Sequence, residues 1–178
     1  MRKNKGFTLV EMMVAVAILA IVVTVASTIF VLAIQAQRQS LAYQELLDQT
    51  SYVIEYMSRA LRMAKKDITG ICTGTAKLNY ATSIDAAGRQ CLDFKNYKEE
   101  CQHFCLEGTK IVEKKTGLVN DLTSPDLNVN SFTITLTGET QDDYLQPLVF
   151  IFLNIEGREQ AKIQIQTSIS QRNLDIQK

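Results

Sequence analysis

The sequence predicts an α+β protein, in which a long N-terminal hydrophobic helix packs on a C-terminal antiparallel β-sheet head. Two observations lead to this fold class. Residues 7–34 are almost uniformly apolar, and residues 35–66 contain no glycine or proline, so a helix can continue through both. Beyond residue 76, short runs of β-branched and aromatic residues alternate with turn residues. The length of 178 residues suits one domain with an appendage.

The apolar segment is long enough to cross a membrane. A spanning helix needs about 20 apolar residues, and residues 7–34 exceed that length. Arg2, Lys3 and Lys5 stand directly before the segment, without an acidic residue among them. Cytoplasmic flanks of membrane helices carry such an excess of cations, so we expect a single pass through the cytoplasmic (inner) membrane with the N-terminus inside.

Glu11 is the one ionisable residue of this segment, and two ordinary interpretations leave it unexplained. A secretory signal peptide would be cut near Ala15–Val16–Ala17, which leaves a short, interrupted apolar core. A plain membrane anchor explains the length and the cations. It does not explain a carboxylate, because a charge at the centre of a membrane helix costs about 2.5–3.5 kcal/mol on insertion scales.

The stretch from Gly6 to Met12, Gly–Phe–Thr–Leu–Val–Glu–Met, resembles the class III signal of type IV prepilins and pseudopilins. The resemblance implies a pilin-like fold and cleavage by a prepilin peptidase between Gly6 and Phe7. It also implies N-methylation of Phe7 and a role for Glu11 in filament assembly. Type IV pilins often carry a glycine and a proline where this chain has Ala20 and Thr28, so the sequence resembles a minor subunit or pseudopilin more than a principal pilin.

Simple electrostatics gives Glu11 a partner. Cleavage before Phe7 would create a cationic α-amine, and residues four apart on a helix share a face, so Glu11 is expected on the side of Phe7. A carboxylate in an apolar environment is costly unless it is paired. When helices pack side by side, the amine of a neighbouring subunit is the best partner, although the sequence leaves open the amine of the same chain.

The chain divides into four predicted segments: a leader (1–6), a transmembrane or filament-core half of the helix (7–34), an amphipathic half (35–68) and a β-rich head (69–178). The helix is expected from Thr8 to about Lys66, with Gly70 as its terminator. Apolar residues at spacings of three, four or seven predict its buried face: Leu46, Val53, Met57, Leu61 and Ala64.

Six strands are predicted in the head, at Ala76–Ile84, Gln90–Tyr97, Lys110–Lys114, Val129–Thr137, Leu148–Ile155 and Ala161–Ser170. The continuous apolar run Phe150–Leu153 predicts a central strand. Gly157–Glu159 is expected to form the turn between the last two strands. The charged stretches Lys65–Asp67 and Lys98–Glu100 are expected to be solvated.

The four cysteines, Cys72, Cys91, Cys101 and Cys105, favour two disulfides, because an exported domain meets an oxidising compartment. Four cysteines allow three pairings, and proximity alone favours Cys72–Cys91 with Cys101–Cys105. A zinc site with His103 is the alternative, but the spacing fits no standard pattern. His103 is then expected in a solvated loop.

No cofactor, metal or enzymatic activity is expected. The chain contains one histidine and none of the common nucleophile, zinc-protease or phosphate-loop motifs. Glu139, Asp142 and Asp143 do not match a calcium loop, and a polar hairpin tip is the preferred interpretation.

The leading hypothesis is a structural subunit, a minor pilin or pseudopilin, of a type IV pilus, type II secretion or competence filament. The partners that the resemblance implies are the prepilin peptidase, other pilin or pseudopilin subunits, an inner-membrane assembly platform and membrane lipid. A net charge of zero gives no reason to expect nucleic acid. The alternative is a membrane-anchored exported binding domain that does not polymerise. A soluble secreted protein ranks third.

Overall fold

The computed structural model describes residues 6–84, 88–139 and 145–172. The chain divides into two compact units, Met1–Leu41 and Ala42–Lys178. One helix, α1 (Leu9–Arg62), contributes its first part to the first unit and its last part to the second. The fold is α+β, with this long N-terminal helix followed by antiparallel sheets, as the sequence predicts.

Helix α1 begins at Leu9 because Thr8 caps it. The backbone N–H of Glu11 donates a hydrogen bond to Oγ1 of Thr8 at 3.3 Å, and the N–H of Met12 donates to the carbonyl of Thr8 at 3.3 Å. Threonine is a favoured N-cap residue, because its side chain satisfies one of the four N–H groups that lack a partner within the helix. The glutamate three residues later completes the sequence of a capping box.

The part of α1 in the first unit exposes its apolar surface. Every residue from Gly6 to Ala33 is exposed. The hydroxyls of Thr24, Ser27 and Thr28 donate to carbonyls four residues earlier at 2.8–3.0 Å, so these polar groups need no water. Within the described residues, α1 is the one helix long and apolar enough to cross a membrane. Lipid or neighbouring apolar helices would satisfy this surface.

The part of α1 in the second unit is amphipathic. Its buried face consists of Ala42, Leu46, Thr50, Val53, Met57 and Leu61. Four of the five residues predicted on this face, Leu46, Val53, Met57 and Leu61, are buried on α1, which confirms them. The fifth, Ala64, is also buried but follows the end of the helix. The polar member, Thr50, donates its hydroxyl proton to the carbonyl of Leu46 at 2.6 Å, which removes the cost of burying it.

The helix ends at Arg62 rather than near Lys66, because the following backbone pairs with strands. The N–H of Lys65 donates to the carbonyl of Lys95 at 2.8 Å, and the N–H of Asp67 donates to the carbonyl of Leu78 at 2.9 Å. Gly70 is therefore a loop residue and not the terminator. Its φ is +75°, and a Cβ there would lie 2.7 Å from the backbone nitrogen of Ala76.

Two antiparallel sheets form the rest of the second unit. The five-stranded sheet has the order β1-β2-β3-β4-β5, and the three-stranded sheet has the order β6-β7-β8. In chain order the described strands are β1 (Tyr80–Ile84), β2 (Gln90–Lys95), β3 (Cys101–Glu107), β4 (Lys110–Lys115), β5 (Leu118–Asp121), β6 (Asn128–Thr137), β7 (Leu148–Glu156) and β8 (Lys162–Ser170).

The six predicted strands are confirmed as β1, β2, β4, β6, β7 and β8, with shifted ends. Phe150–Leu153 lies in a central strand, since β7 is flanked by β6 and β8. The predicted turn before β8 is also present, with a 3-10 turn at Arg158–Gln160. β3 and β5 were not predicted. β3 places polar and apolar residues on both faces, and all four residues of β5 are exposed, so neither shows a clear alternation.

One continuous core joins α1 to both sheets. Leu92, Phe94 and Phe104 contribute from the five-stranded sheet, and alternate residues of β7 contribute from the other. The phenyl rings of Phe94 and Phe104 lie 5.4 Å apart between centroids. Burial of each such side chain stabilises the folded protein by about 1.5–3 kcal/mol relative to leaving the side chain exposed.

Candidate processing and assembly site

The residues of the predicted cleavage motif lie at an exposed chain end. Gly6, Phe7 and Thr8 precede the helix, and the side chain of Phe7 is 76% exposed. A Cβ added to Gly6 would meet no atom within 4 Å. Because the surroundings in this chain tolerate a larger residue, the fold gives no reason for glycine at this position.

Glu11 lies in the first turn of α1 and is exposed. Its backbone N–H is capped by Thr8, and its carboxylate forms no ion pair with any described residue. A carboxylate in the first turn also interacts favourably with the positive end of the helix dipole. The arrangement leaves this carboxylate available to a cation from outside the chain.

The start of the helix changes one expectation about Phe7 and Glu11. The sequence predicts that the two residues, four apart, lie on one helical face. Phe7 lies before the N-cap residue Thr8, so it is not part of the helix and that spacing does not bring the two residues together. The leader cations Arg2, Lys3 and Lys5 lie outside the described residues.

Comparison with known families matches the same segment. Residues 1–27 match the family model described as the prokaryotic N-terminal methylation motif. No curated protein and no solved structure significantly matches the chain. The protein thus combines an N-terminal methylation motif, an apolar helix and a β-sheet head. This motif is the signature of type IV pilins and pseudopilins, and the architecture of a long N-terminal helix followed by antiparallel sheets is pilin-like.

All four cysteines form disulfides, as the sequence predicts, but the pairing favoured by proximity is wrong. Cys72 bonds to Cys101, and Cys91 bonds to Cys105. Cys91 and Cys105 are register partners on the adjacent strands β2 and β3, with Cα atoms 4.2 Å apart. Because β3 was not predicted, the two cysteines could not be placed opposite each other from the sequence.

His103 is not in a solvated loop, and that expectation is wrong. It lies on β3 opposite Asp93 of β2, and its Nδ1 is 2.7 Å from Oδ1 of Asp93. The Asp93 side chain is only 9% exposed, so this contact satisfies a carboxylate that would otherwise be costly to bury. A strand period of two, counted from Phe104, would have placed His103 on the face away from the core.

The alternative metal sites find no support in the described structure. The disulfides occupy the thiols that a zinc site would need. In the described ranges, no group of three or more histidine, cysteine, aspartate or glutamate side chains could hold a metal ion. Asp142 and Asp143 of the calcium alternative lie outside the described residues.

A buried carboxylate, Asp67, organises the loop after α1, although the sequence suggests a solvated charge cluster at Lys65–Asp67. Asp67 is fully buried. Its Oδ2 accepts the backbone N–H groups of Cys72 at 2.7 Å and Thr73 at 3.1 Å, and its Oδ1 accepts the hydroxyl of Thr69 at 3.1 Å. Burial raises the pKa of Asp67, but these hydrogen bonds outweigh it, so the pKa lies below its ordinary value.

A further buried carboxylate, Glu113 on β4, joins α1 to the five-stranded sheet. The hydroxyl of Tyr56 donates to its Oε1 at 2.7 Å, Nζ of Lys115 lies 3.0 Å away, and Gln102 also donates. Burial and the hydrogen bond to Glu113 raise the pKa of Tyr56, so the phenol stays protonated. The burial of Glu113 could have been predicted from the strand period of two, because Glu113 is two residues from Ile111 and shares its buried face.

Proposed function

We propose that the protein is a structural subunit, a minor pilin or pseudopilin, of a type IV pilus, type II secretion or competence filament. The methylation motif over residues 1–27 is the observation that carries this proposal. The exposed apolar part of α1 supports it, because such a surface needs lipid before assembly and other helices afterwards. The motif indicates a structural protein.

In this proposal, a prepilin peptidase cleaves between Gly6 and Phe7, and Phe7 is then N-methylated. The open surroundings of Gly6 support a recognition role, since the fold itself does not require glycine there. The exposed position of Phe7 before the helix leaves the scissile bond accessible. Cleavage at this bond retains the whole apolar helix in the product.

Glu11 is the proposed assembly residue. Once Phe7 is the N-terminus, its α-amine is cationic near neutral pH. The exposed Glu11 carboxylate would pair with the amine of a neighbouring subunit and so fix the axial step between subunits. Because Phe7 lies before the helix, the helical spacing of four residues does not place its amine beside Glu11 of the same chain.

Membrane location and partners follow from the same proposal. The chain would reside in the inner membrane with its leader in the cytoplasm and its head outside, and would then enter an extracytoplasmic filament. Its partners would be the peptidase, sibling pilin subunits, an inner-membrane assembly platform and lipid. Ala20 and Thr28, which replace the glycine and proline found in many principal pilins, support the assignment as a minor subunit or pseudopilin.

Gly6→Val should abolish cleavage while the head still folds, because a Cβ at this position meets nothing in the chain. The test is the mass of the protein recovered from membranes that contain the peptidase, with circular dichroism as the measure of folding. Asn4→Val, which places the same β-branched residue in the leader outside the Gly6–Met12 motif, is the matched control and should be cleaved. Full processing of the Gly6 variant would remove this assignment of the cleavage site.

A further inference from the structure

The two outer strands of the three-stranded sheet, β6 and β8, have different edges. The outer edge of β6 is sealed by β2: Nε2 of Gln90 donates to the carbonyl of Ile134 at 3.0 Å, and the N–H of Ile134 donates to Oε1 of Gln90 at 3.1 Å. A register shift between Val129 and Ser131 also interrupts β6. Seals and irregularities of this kind are how natural sheets avoid unwanted pairing.

The outer edge of β8 has none of these features in the described structure. Its nine residues pair with β7 in a continuous register, from Leu148 opposite Ser170 to Glu156 opposite Lys162. Between Ile163 and Ser170 there is no charged residue and no proline. A long, regular, uncharged edge of this kind presents unpaired backbone donors and acceptors to another strand.

A groove runs beside this open edge. Its volume is about 410 Å³, and it lies between α1, at Ser58, Arg59 and Arg62, and Ile165 of β8. Ile163 and Ile165 point to the core side of the sheet but are only half-buried. Side chains of an added strand that faced the same side would therefore have apolar surface to cover.

The groove carries one unbalanced positive charge. Nη2 of Arg59 pairs with Oε1 of Glu55 at 2.6 Å, whereas Arg62 forms no ion pair with a described residue. Arg62 is placed near the C-terminal end of β8, since its carbonyl accepts the N–H of Arg172 at 2.9 Å. A carboxylate at that end would complement it.

We propose that β8 is a docking strand for an extended segment of a partner protein. The segment adds antiparallel to β8, has apolar side chains at alternate positions toward the groove, and places a carboxylate at its N-terminal end beside Arg62. Main-chain hydrogen bonds supply the affinity of such strand addition, and the alternate side chains supply specificity.

A second copy of this chain does not suit the site. An antiparallel β8–β8 pair has a two-fold axis normal to the sheet, which reverses the direction of the α1 segment packed on it. The two Ala42 ends, from which the chain leads to the apolar segment, would then point in opposite directions. A heterologous segment carries no such constraint, so we commit to it as the occupant, and protection that depends on protein concentration without peptide would reveal the two-fold pair.

The test uses the unprocessed full chain in detergent, so that its outcome is independent of cleavage and filament assembly. The probe is a nine-residue peptide that alternates threonine and valine after an N-terminal aspartate. Amide hydrogen exchange is measured over residues 162–170. At a peptide concentration ten times the dissociation constant, exchange of the open-edge amides should slow about tenfold. No slowing at millimolar peptide would overturn the proposal.

Two variants and one control sharpen this test. Ile165→Lys directs a charge into the groove and should abolish the protection, whereas Thr135→Lys, exposed on the sealed strand β6, should retain it. Arg62→Glu should reverse the charge preference, from the aspartate peptide to one that begins with lysine. Equal binding of both peptides by that variant, or protection of β8 that rises with protein concentration without peptide, would contradict the proposed occupant.

Discussion

Glu11→Ala should leave cleavage and methylation largely intact but prevent incorporation of the subunit into filaments. The carboxylate lies in the first helical turn and is exposed, with no ion pair to a described residue. Without it, the α-amine of a neighbouring Phe7 would have to enter an apolar helix bundle unpaired. A single charge in such an environment costs about 2.5–3.5 kcal/mol, which corresponds to roughly a hundredfold loss in assembly affinity.

The measurement compares the membrane and sheared-filament fractions of cells that express the variant. Asp48→Ala is the matched control, because it removes an exposed carboxylate from the same helix outside the apolar segment. The control should enter filaments as the unaltered chain does. Normal incorporation of Glu11→Ala would show that the carboxylate does not set the contact between subunits.

Asp67→Ala should cause a large loss of stability in the head. The substitution leaves the buried N–H groups of Cys72 and Thr73 without their acceptor. Each buried donor without a partner costs about 1–3 kcal/mol, so we expect a decrease in the free energy of unfolding of about 3 kcal/mol. Denaturant unfolding of the full chain in detergent measures it, and Asp121→Asn, at an exposed residue, should change it little.

The pH dependence of stability tests in a second way whether the loop holds Asp67 ionised. The pKa of Asp67 is lowered in the folded state, so its contribution is present above the unfolded pKa of about 3.9 and is lost as the pH falls through the folded value. The unaltered chain should therefore lose more stability than Asp67→Ala when the pH is lowered below about 4. Parallel pH curves for the two proteins would show that Asp67 is not held ionised by the loop.

The local patterns of the chain predict most of the fold. The buried face of α1 from Leu46 to Leu61 and the alternation in β6 can be recognised from neighbouring residues alone. Helix and strand periods place the apolar residues of these elements on one face. The end of α1 could not be predicted, since it depends on pairing of Lys65 with Lys95, which are distant in sequence. The disulfide pairing was missed for the same reason, as it needs the β2–β3 register.

The candidate site shows a similar division. The motif from Gly6 to Glu11 could be recognised from sequence because its residues match the prepilin signal in order, and the family match covers the same segment. The position of Phe7 outside the helix was missed, although Thr8 followed by Glu11 three residues later is a capping-box sequence that marks Thr8 as the N-cap. The buried Asp67 was missed because its flanking lysines suggest a solvated stretch, whereas its partners lie in the loop that follows.

The central claim is that this chain is processed as a prepilin, and the N-terminus of the mature protein tests it most directly. Mass spectrometry of the protein recovered from its native membrane should find a chain that begins with N-methylated Phe7. An intact Met1 would instead indicate a membrane anchor that is never processed, and a start near Ile18 would indicate a secretory signal peptide. Either of these results would contradict the account.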